Sequence, residues 1–264
     1  MGQDRKNAEP GRHPLTKPVG AITRGTTNPN RLRRVDNWIA YRCGPLLASS
    51  PVPLVIDLGF GETPVTVVEL HSRLTAALQR AVPVVGLEID PHRVAAAQAA
   101  ADPPRLEFRL GGFELAGLRP TVVRAFNVLR QYDESEVADA WRAMTGTGAV
   151  LVEGTCDELG RVAGWVYVDA GEPKTLTLSA RLSDLDHPDT FAERLPKALI
   201  HHNVPGHWIH EVLHRLGRAW DSSATPFGPR QRWLATLSRL RAEGLPILDS
   251  PRRWRRGELT LPWP

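Results

Sequence analysis

The segment Val55-Ile-Asp57-Leu-Gly59-Phe60-Gly61-Glu-Thr63-Pro64 constrains the fold more than any other part of the chain. An apolar run feeds a turn with two glycines, and a helical pattern follows. A short apolar run ending in Gly reads as a strand buried on both faces, as in a parallel sheet. Glycines let the backbone approach a ligand closely, and the helix behind the turn offers unpaired N–H groups. Further strands are expected at 82–90, 106–110, 121–127 and 148–155, with helices at 65–81, 93–101 and 134–144. Strands alternating with helices imply crossover units and a parallel sheet covered on both faces.

The pattern changes after residue 160. Segments 165–170 and 175–182 read as a hairpin across Gly171-Glu-Pro-Lys174. Too few residues follow Thr155 for a parallel crossover, so an antiparallel finish is expected. Segments 30–42, 190–199, 207–220 and 230–243 read as helices. The expected organisation is a flexible basic arm over 1–28, a ligand-binding domain over 29–185, and a helical extension over 186–264 packed on the same domain.

A chain of 264 residues can bury a substantial core. Two cysteines argue against a disulfide-framed secreted scaffold. No apolar stretch reaches the ~18 residues of a membrane span, and the first residues lack the apolar core of a secretory signal. A cytoplasmic protein without a membrane partner is expected. Residues 1–42 hold nine basic and three acidic residues, and 229–264 hold eight and three; the middle holds 16 and 23. Basic ends could steer RNA toward the protein; the plainer reading is solubility.

The strand ends carry the chemistry. The second strand closes at Glu88-Ile89-Asp90, where a carboxylate can accept from ribose hydroxyls. The third closes at Gly111-Gly112-Phe113, which can supply an apolar face for a purine. With Asp57-x-Gly59-x-Gly61 and Asn127 after the fourth strand, these residues resemble the class I S-adenosylmethionine-dependent methyltransferases. The resemblance covers about residues 52–155. It implies an α/β, Rossmann-like methyltransferase sheet, mostly parallel with an antiparallel hairpin at the end, flanked by helices. It implies S-adenosylmethionine as cofactor. Asp57, Gly59, Phe60 and Gly61 would then frame the methionyl group, Glu88 and Ile89 the ribose, Gly112 and Phe113 the adenine. Asn127 would line the methyl-transfer site.

There are departures from the family's pattern. Thr63 replaces a third Gly, and Gly112 stands where many members carry an acid for the adenine amino group. Asn127-Val-Leu-Arg130 replaces the Asn-Pro-Pro-Tyr of many nitrogen methyltransferases, and the last crossover helix is missing or displaced. A nicotinamide-binding Rossmann fold is the rival reading. Pro64 fits a helix start but not the close-packing role of that motif's third Gly.

The resemblance implies a methyltransferase (EC 2.1.1.-) working by in-line displacement, with a small-molecule acceptor ranked ahead of RNA. The alternative is a non-catalytic cofactor- or partner-binding module. Positioning and desolvation supply much of the rate in such a reaction, so the sequence nominates no catalytic base. Arg24, Arg130, Tyr132, Glu153 and His201 are the candidate substrate residues, each with an ordinary structural alternative. Thr155-Cys156 resembles the nucleophile pair of RNA cytosine-5 methyltransferases, although their second Pro-Cys is absent; a buried inert thiol is the alternative. His207, His210 and His214 share one helical face, but nothing completes a metal site, so none is expected. Arg252-Arg-Trp254-Arg-Arg256 reads as an RNA contact or as a tail whose Trp254 packs on the body.

Overall fold

The computed structural model describes residues 18–22 and 27–264. One eight-stranded sheet organises the chain, in the order β3-β2-β1-β4-β5-β6-β7-β8. The strands are β1 (Val55–Leu58), β2 (Val84–Glu88), β3 (Leu106–Leu110), β4 (Val122–Phe126), β5 (Val150–Cys156), β6 (Val162–Asp169), β7 (Glu172–Ala180) and β8 (Glu258–Pro262). The first five are mutually parallel. The last three pair antiparallel. This is the Rossmann-like, mostly parallel sheet with an antiparallel finish that the sequence predicts.

The strand order reverses between β1 and β4. That reversal opens a crevice beyond their carboxyl ends, the usual ligand position in such sheets. Two-residue connections suffice for antiparallel neighbours. Ala170 and Gly171, both at positive φ, turn β6 directly into β7. No crossover helix intervenes between β5 and β7.

Alternation along β1 shows how the sheet is covered. Ile56 and Leu58 face the layer of α5 (Glu134–Thr145), α7 (Trp208–Asp221) and α8 (Pro229–Ala242). Val55 faces the opposite layer, with α1 (Arg33–Arg42) and α3 (Val65–Leu78). In that layer Trp38 of α1 meets Trp165 of β6 edge-on, at 5.7 Å between ring centroids. Burying side chains of this size contributes on the order of 2 kcal/mol each. Short helices α2 (Gly44–Ser49), α4 (Pro91–Ala97), α6 (Lys197–Ile200) and α9 (Pro251–Trp254) complete the set. Asp90 caps α4 by accepting from the His92 N–H at 2.8 Å, with Pro91 in the first turn.

The C-terminal residues are not wholly helical. Residues 188–194 form a 3-10 turn rather than an α-helix. Residues 258–262 add a strand to the sheet edge, and Trp254 is buried under the Arg241 guanidinium, 4.3 Å from its ring centroid. Among the described residues, no helix is long and apolar enough to cross a membrane.

Candidate functional site

The Gly-rich turn follows β1 directly. Gly59 and Gly61 both have positive φ, which side-chain-bearing residues rarely adopt. The Gly59 N–H still donates to Leu87 O, extending the ladder by one bond. The Gly61 N–H donates to Glu88 Oε2 at 3.0 Å, while Oε1 accepts from the Ile89 N–H at 2.9 Å. Glu88 therefore ties the tip of β2 to the turn after β1; the Asp90 N–H also donates to Oε1 at 3.3 Å, and Arg93 pairs with Oε2 at 3.6 Å.

Asp57 does something else. It lines the floor of the open part of the crevice, and its side chain accepts from Arg124 of β4 through both oxygens, at 2.8 and 2.6 Å. Thr66 donates to it at 3.3 Å. Arg124 reaches on to Asp36 of α1, which also pairs with Arg73 of α3. Arg124, Asp36 and Asp57 are all buried. The sequence assigned Asp57 to a methionyl group; here its charge is consumed within the protein. It joins β1, β4, α1 and α3 beneath the site.

Beyond the turn the crevice has two unequal parts. The part over β1, β4 and β5 is a cavity of about 670 Å³. Gly59, Phe60, Gly61, Asn127, Arg130 and Arg194 line it. The left-handed φ of Asn127, a conformation Asn tolerates, lets its backbone and side chain link β4 to β5. Its N–H donates to Gly154 O at 2.8 Å and its Oδ1 accepts from the Cys156 N–H at 3.1 Å. Cys156 sits in this wall, buried, with its thiol pKa pushed up by burial. A protonated thiol is a poor nucleophile, so the inert reading is the one that fits.

The part over β2 and β3 holds only about 20 Å³. Residues 19–21 lie in it, against Glu88, Ile89, Gly112, Phe113 and Tyr132. The Phe113 N–H donates to Val19 O at 2.9 Å. The Val19 N–H donates to Glu114 Oε2 at 2.9 Å, and the Gly112 N–H holds Glu114 Oε1 at 2.7 Å. The Ala21 N–H donates to the Tyr132 hydroxyl, and the Gln131 side chain donates to Ala21 O at 2.9 Å. A Cβ on Gly112 would sit 2.0 Å from Val19 O, so only glycine admits this segment. Burial raises the Tyr132 pKa, so the phenol stays protonated at neutral pH.

The other candidates scatter. Arg130 and Tyr132 reach the crevice, in its open and closed parts respectively. Glu153 does not: it is fully buried on β5, and burial raises its pKa to about 8. His201 is exposed at the end of α6 and lines neither part. Arg24 lies outside the described residues. His207 precedes α7 without a side-chain cap bond, and its ring meets His202, while the His210 and His214 rings stack on each other. His202 in turn meets Glu134 at 2.6 Å, which pins that loop to α5. Among the described residues, no group of three His, Cys, Asp or Glu could hold a metal ion. Sequence reading missed Glu114, although the acid sought at Gly112 stands only two positions later.

No family model matches the chain. No curated protein matches it either. Among solved structures, it is similar to a magnesium protoporphyrin IX methyltransferase from Synechocystis PCC 6803 with bound S-adenosylhomocysteine. Identity is 18%, over 51% of this chain and 63% of that one, with a TM-score of 0.35. It is also similar to an S-adenosylmethionine-bound amino pentose methyltransferase from Micromonospora echinaspora (22% identity, 60% and 66% coverage, TM-score 0.34). A cyclopropane synthase from Mycobacterium tuberculosis matches at 15% identity over 86% and 83%, with a TM-score of 0.35. The chain thus spans 63% of the length of the first of these proteins. The fold assignment rests on the strand order itself.

Proposed function

We propose that this chain binds S-adenosylmethionine across the carboxyl ends of β1 to β4 and transfers its methyl group to an acceptor held over β4 and β5. The observation that carries this reading is the Val19 peptide. It presents one N–H and one C=O side by side to the Glu114 carboxylate and the Phe113 N–H. The edge of adenine presents an amino donor beside a ring-nitrogen acceptor, the same pair in the same order. The site after β3 is thus built to read that edge, and the chain's own backbone stands in for it.

The remaining residues fit the rest of the molecule. Glu88, beside Gly20 in the same cavity, can accept from a ribose hydroxyl. The left-handed turn at Gly59 and Gly61 clears space for a close backbone approach. Arg130 and Arg194 in the open part give a carboxylate cationic partners. When bound, the cofactor supplies a methyl group made electrophilic by its positively charged sulfur. The chain's contribution is to orient an acceptor over Asn127 and to exclude water, which needs no strong base unless the acceptor is protonated. The two unpaired, buried cysteines fit a cytoplasmic setting.

A second reading draws on the same segment: a module whose purine end stays shut and whose open part serves a partner. Calorimetric titration of the ligand-free full chain with S-adenosylmethionine, S-adenosylhomocysteine and NAD separates the two. Binding of the sulfur compounds but not NAD is expected. Binding of NAD alone overturns the reading, and no binding even after residues 1–22 are removed leaves only the module.

A further inference from the structure

A second and larger cleft, of about 1150 Å³, lies at the same end of the sheet. The start of α1, the β5–β6 loop, the end of β7, the α7–α8 loop and the α9–β8 turn surround it. Those strand ends continue the carboxyl edge of the parallel strands, because β6 and β8 begin where β5 and β7 finish. The cleft therefore lies over the antiparallel half of the sheet, beside the crevice over the parallel half. A single wall separates them. Asn28 and Arg31 hydrogen-bond to the carbonyls of Glu158 and Asp157, both at 3.0 Å. A Cβ on Gly160 would meet Arg31 O at 1.8 Å, so the wall is closely packed.

The lining is strongly cationic. Arg33, Arg161, Arg181, Arg230, Arg255 and Arg256 are exposed on it. A seventh arginine, Arg34, is half-buried and supports the α9–β8 turn by donating to Arg256 O at 2.7 Å. The one carboxylate in the lining, Glu258, is buried and taken by Arg253 at 2.5 and 2.7 Å. Asp184 engages Arg161 and Arg181 at 3.1 and 3.6 Å, from outside the lining. Among the described residues, no carboxylate forms an ion pair with Arg33, Arg230, Arg255 or Arg256, which face the cleft around its rim. Phe227 stands among them with 80% of its surface exposed. A single exposed ring is ordinary on a protein surface; here it stands among arginines and offers a face on which a base can stack.

We infer that this cleft binds single-stranded RNA. Arginine matches phosphate geometrically and also stacks on bases. Several spaced cations suit a run of phosphates better than a single one. An exposed aromatic beside a basic track is how sequence-tolerant single-strand binding is achieved. Asn37, a neutral polar side chain on the same wall, offers the kind of group a 2′-hydroxyl needs. A concave cleft suits a threaded strand rather than a flat bilayer. The binding claim stands on the cleft alone. That the strand continues over the wall to present a nucleotide to the crevice rests on the methyl-transfer reading, and it reverses the ranking of a small-molecule acceptor over RNA.

Fluorescence anisotropy with a labelled single-stranded uridine RNA of about 12 nucleotides, a length such tracks engage, tests this on the full chain without cofactor. Binding is expected to weaken with salt at a log–log slope of roughly −3, as for about four neutralised phosphates. The combined Arg33→Gln, Arg230→Gln and Arg255→Gln variant should bind about 30-fold more weakly with a slope nearer −1. Phe227→Ala should cost about tenfold and leave the slope unchanged. Arg218→Gln, on the exposed face of α7, should change nothing. No RNA binding at low salt overturns the inference. So does ATP, single-stranded DNA or an anionic phosphatidylserine vesicle bound as tightly as RNA, or an Arg218 effect equal to that of the cleft variants. Cofactor binding is measured separately without RNA, so failure of either reading leaves the other standing.

Discussion

The two parts of the crevice differ in occupancy and in what lies beneath them. Over β2 and β3, residues 19–21 fill the space and Glu88 is knitted to backbone N–H groups. Over β4 and β5, the cavity stays open above a buried cluster in which Arg124 binds two aspartates. The closed part is held by hydrogen bonds between the backbone of residues 19–21 and Phe113, Glu114, Gln131 and Tyr132, partners that a ligand can engage in turn. The open part is held by charges from four elements that are already paired with one another. One part is built to exchange its occupant; the other is built to keep its shape.

The strongest way to break this contrast is to remove the floor of the open part. Arg124→Leu leaves Asp57 buried without a cation and Asp36 with Arg73 alone. Removing one partner of a buried pair costs about 3–5 kcal/mol. Urea unfolding should show a loss of that size, and a loss below about 1 kcal/mol would mean the cluster is not structural. Glu153 sharpens the contrast, since it sits under the same part without a geometric hydrogen-bond partner. Burial raises its pKa to about 8, against the lowering effect of the Trp141 indole. Unfolded, it ionises near the ordinary carboxyl value; folded, it holds its proton to about 8. Folding therefore takes up a proton between those values, and stability falls as pH rises through that window. Glu153→Gln should remove its share of the dependence, leaving that of Glu258, which burial raises to about 7. The substitution should gain about 3 kcal/mol on the wild type between pH 4.5 and pH 7. Parallel stability–pH curves for the two proteins would refute the assignment.

Local patterns made the parallel half legible. Runs such as Val55–Leu58 and Val122–Phe126 are mostly apolar and bounded by turn residues, so the strands and their parallel pairing followed. β8 was missed because the arginines of 252–256 disguised the alternation of Glu258, Leu259, Thr260 and Leu261 that follows. The role of Asp57 was hidden by distance: its partner, Arg124, stands 67 positions away inside an apolar strand. The basic cleft draws on residues from Asn30 to Glu258, so only the folded sheet gathers it. Glu114 was within reach of sequence reading, but a family pattern fixed attention on Gly112. The closure by residues 19–21 left no trace in composition, because it is made by backbone groups that every residue carries.

That closure gives the two smaller effects. Removing residues 1–22 should empty the purine end. A binding-competent state that is only partly populated lowers apparent affinity by its population, so S-adenosylmethionine should bind about tenfold tighter to the shortened chain by calorimetry. Weaker binding would mean the segment is part of the cofactor site rather than its rival.

Tyr132→Phe tests the same balance with one atom. The hydroxyl accepts the Ala21 N–H, while the ring packs on Phe113 at 5.3 Å between centroids. The substitution keeps the ring and deletes the acceptor. A single neutral hydrogen bond is worth about 0.5–1.5 kcal/mol net, and part of it returns as the freed N–H meets water. Cofactor affinity should therefore rise about threefold, with thermal stability slightly lowered. A fall in affinity with stability unchanged would place the hydroxyl on the bound ligand instead, as part of the cofactor site rather than a clasp on residues 19–21.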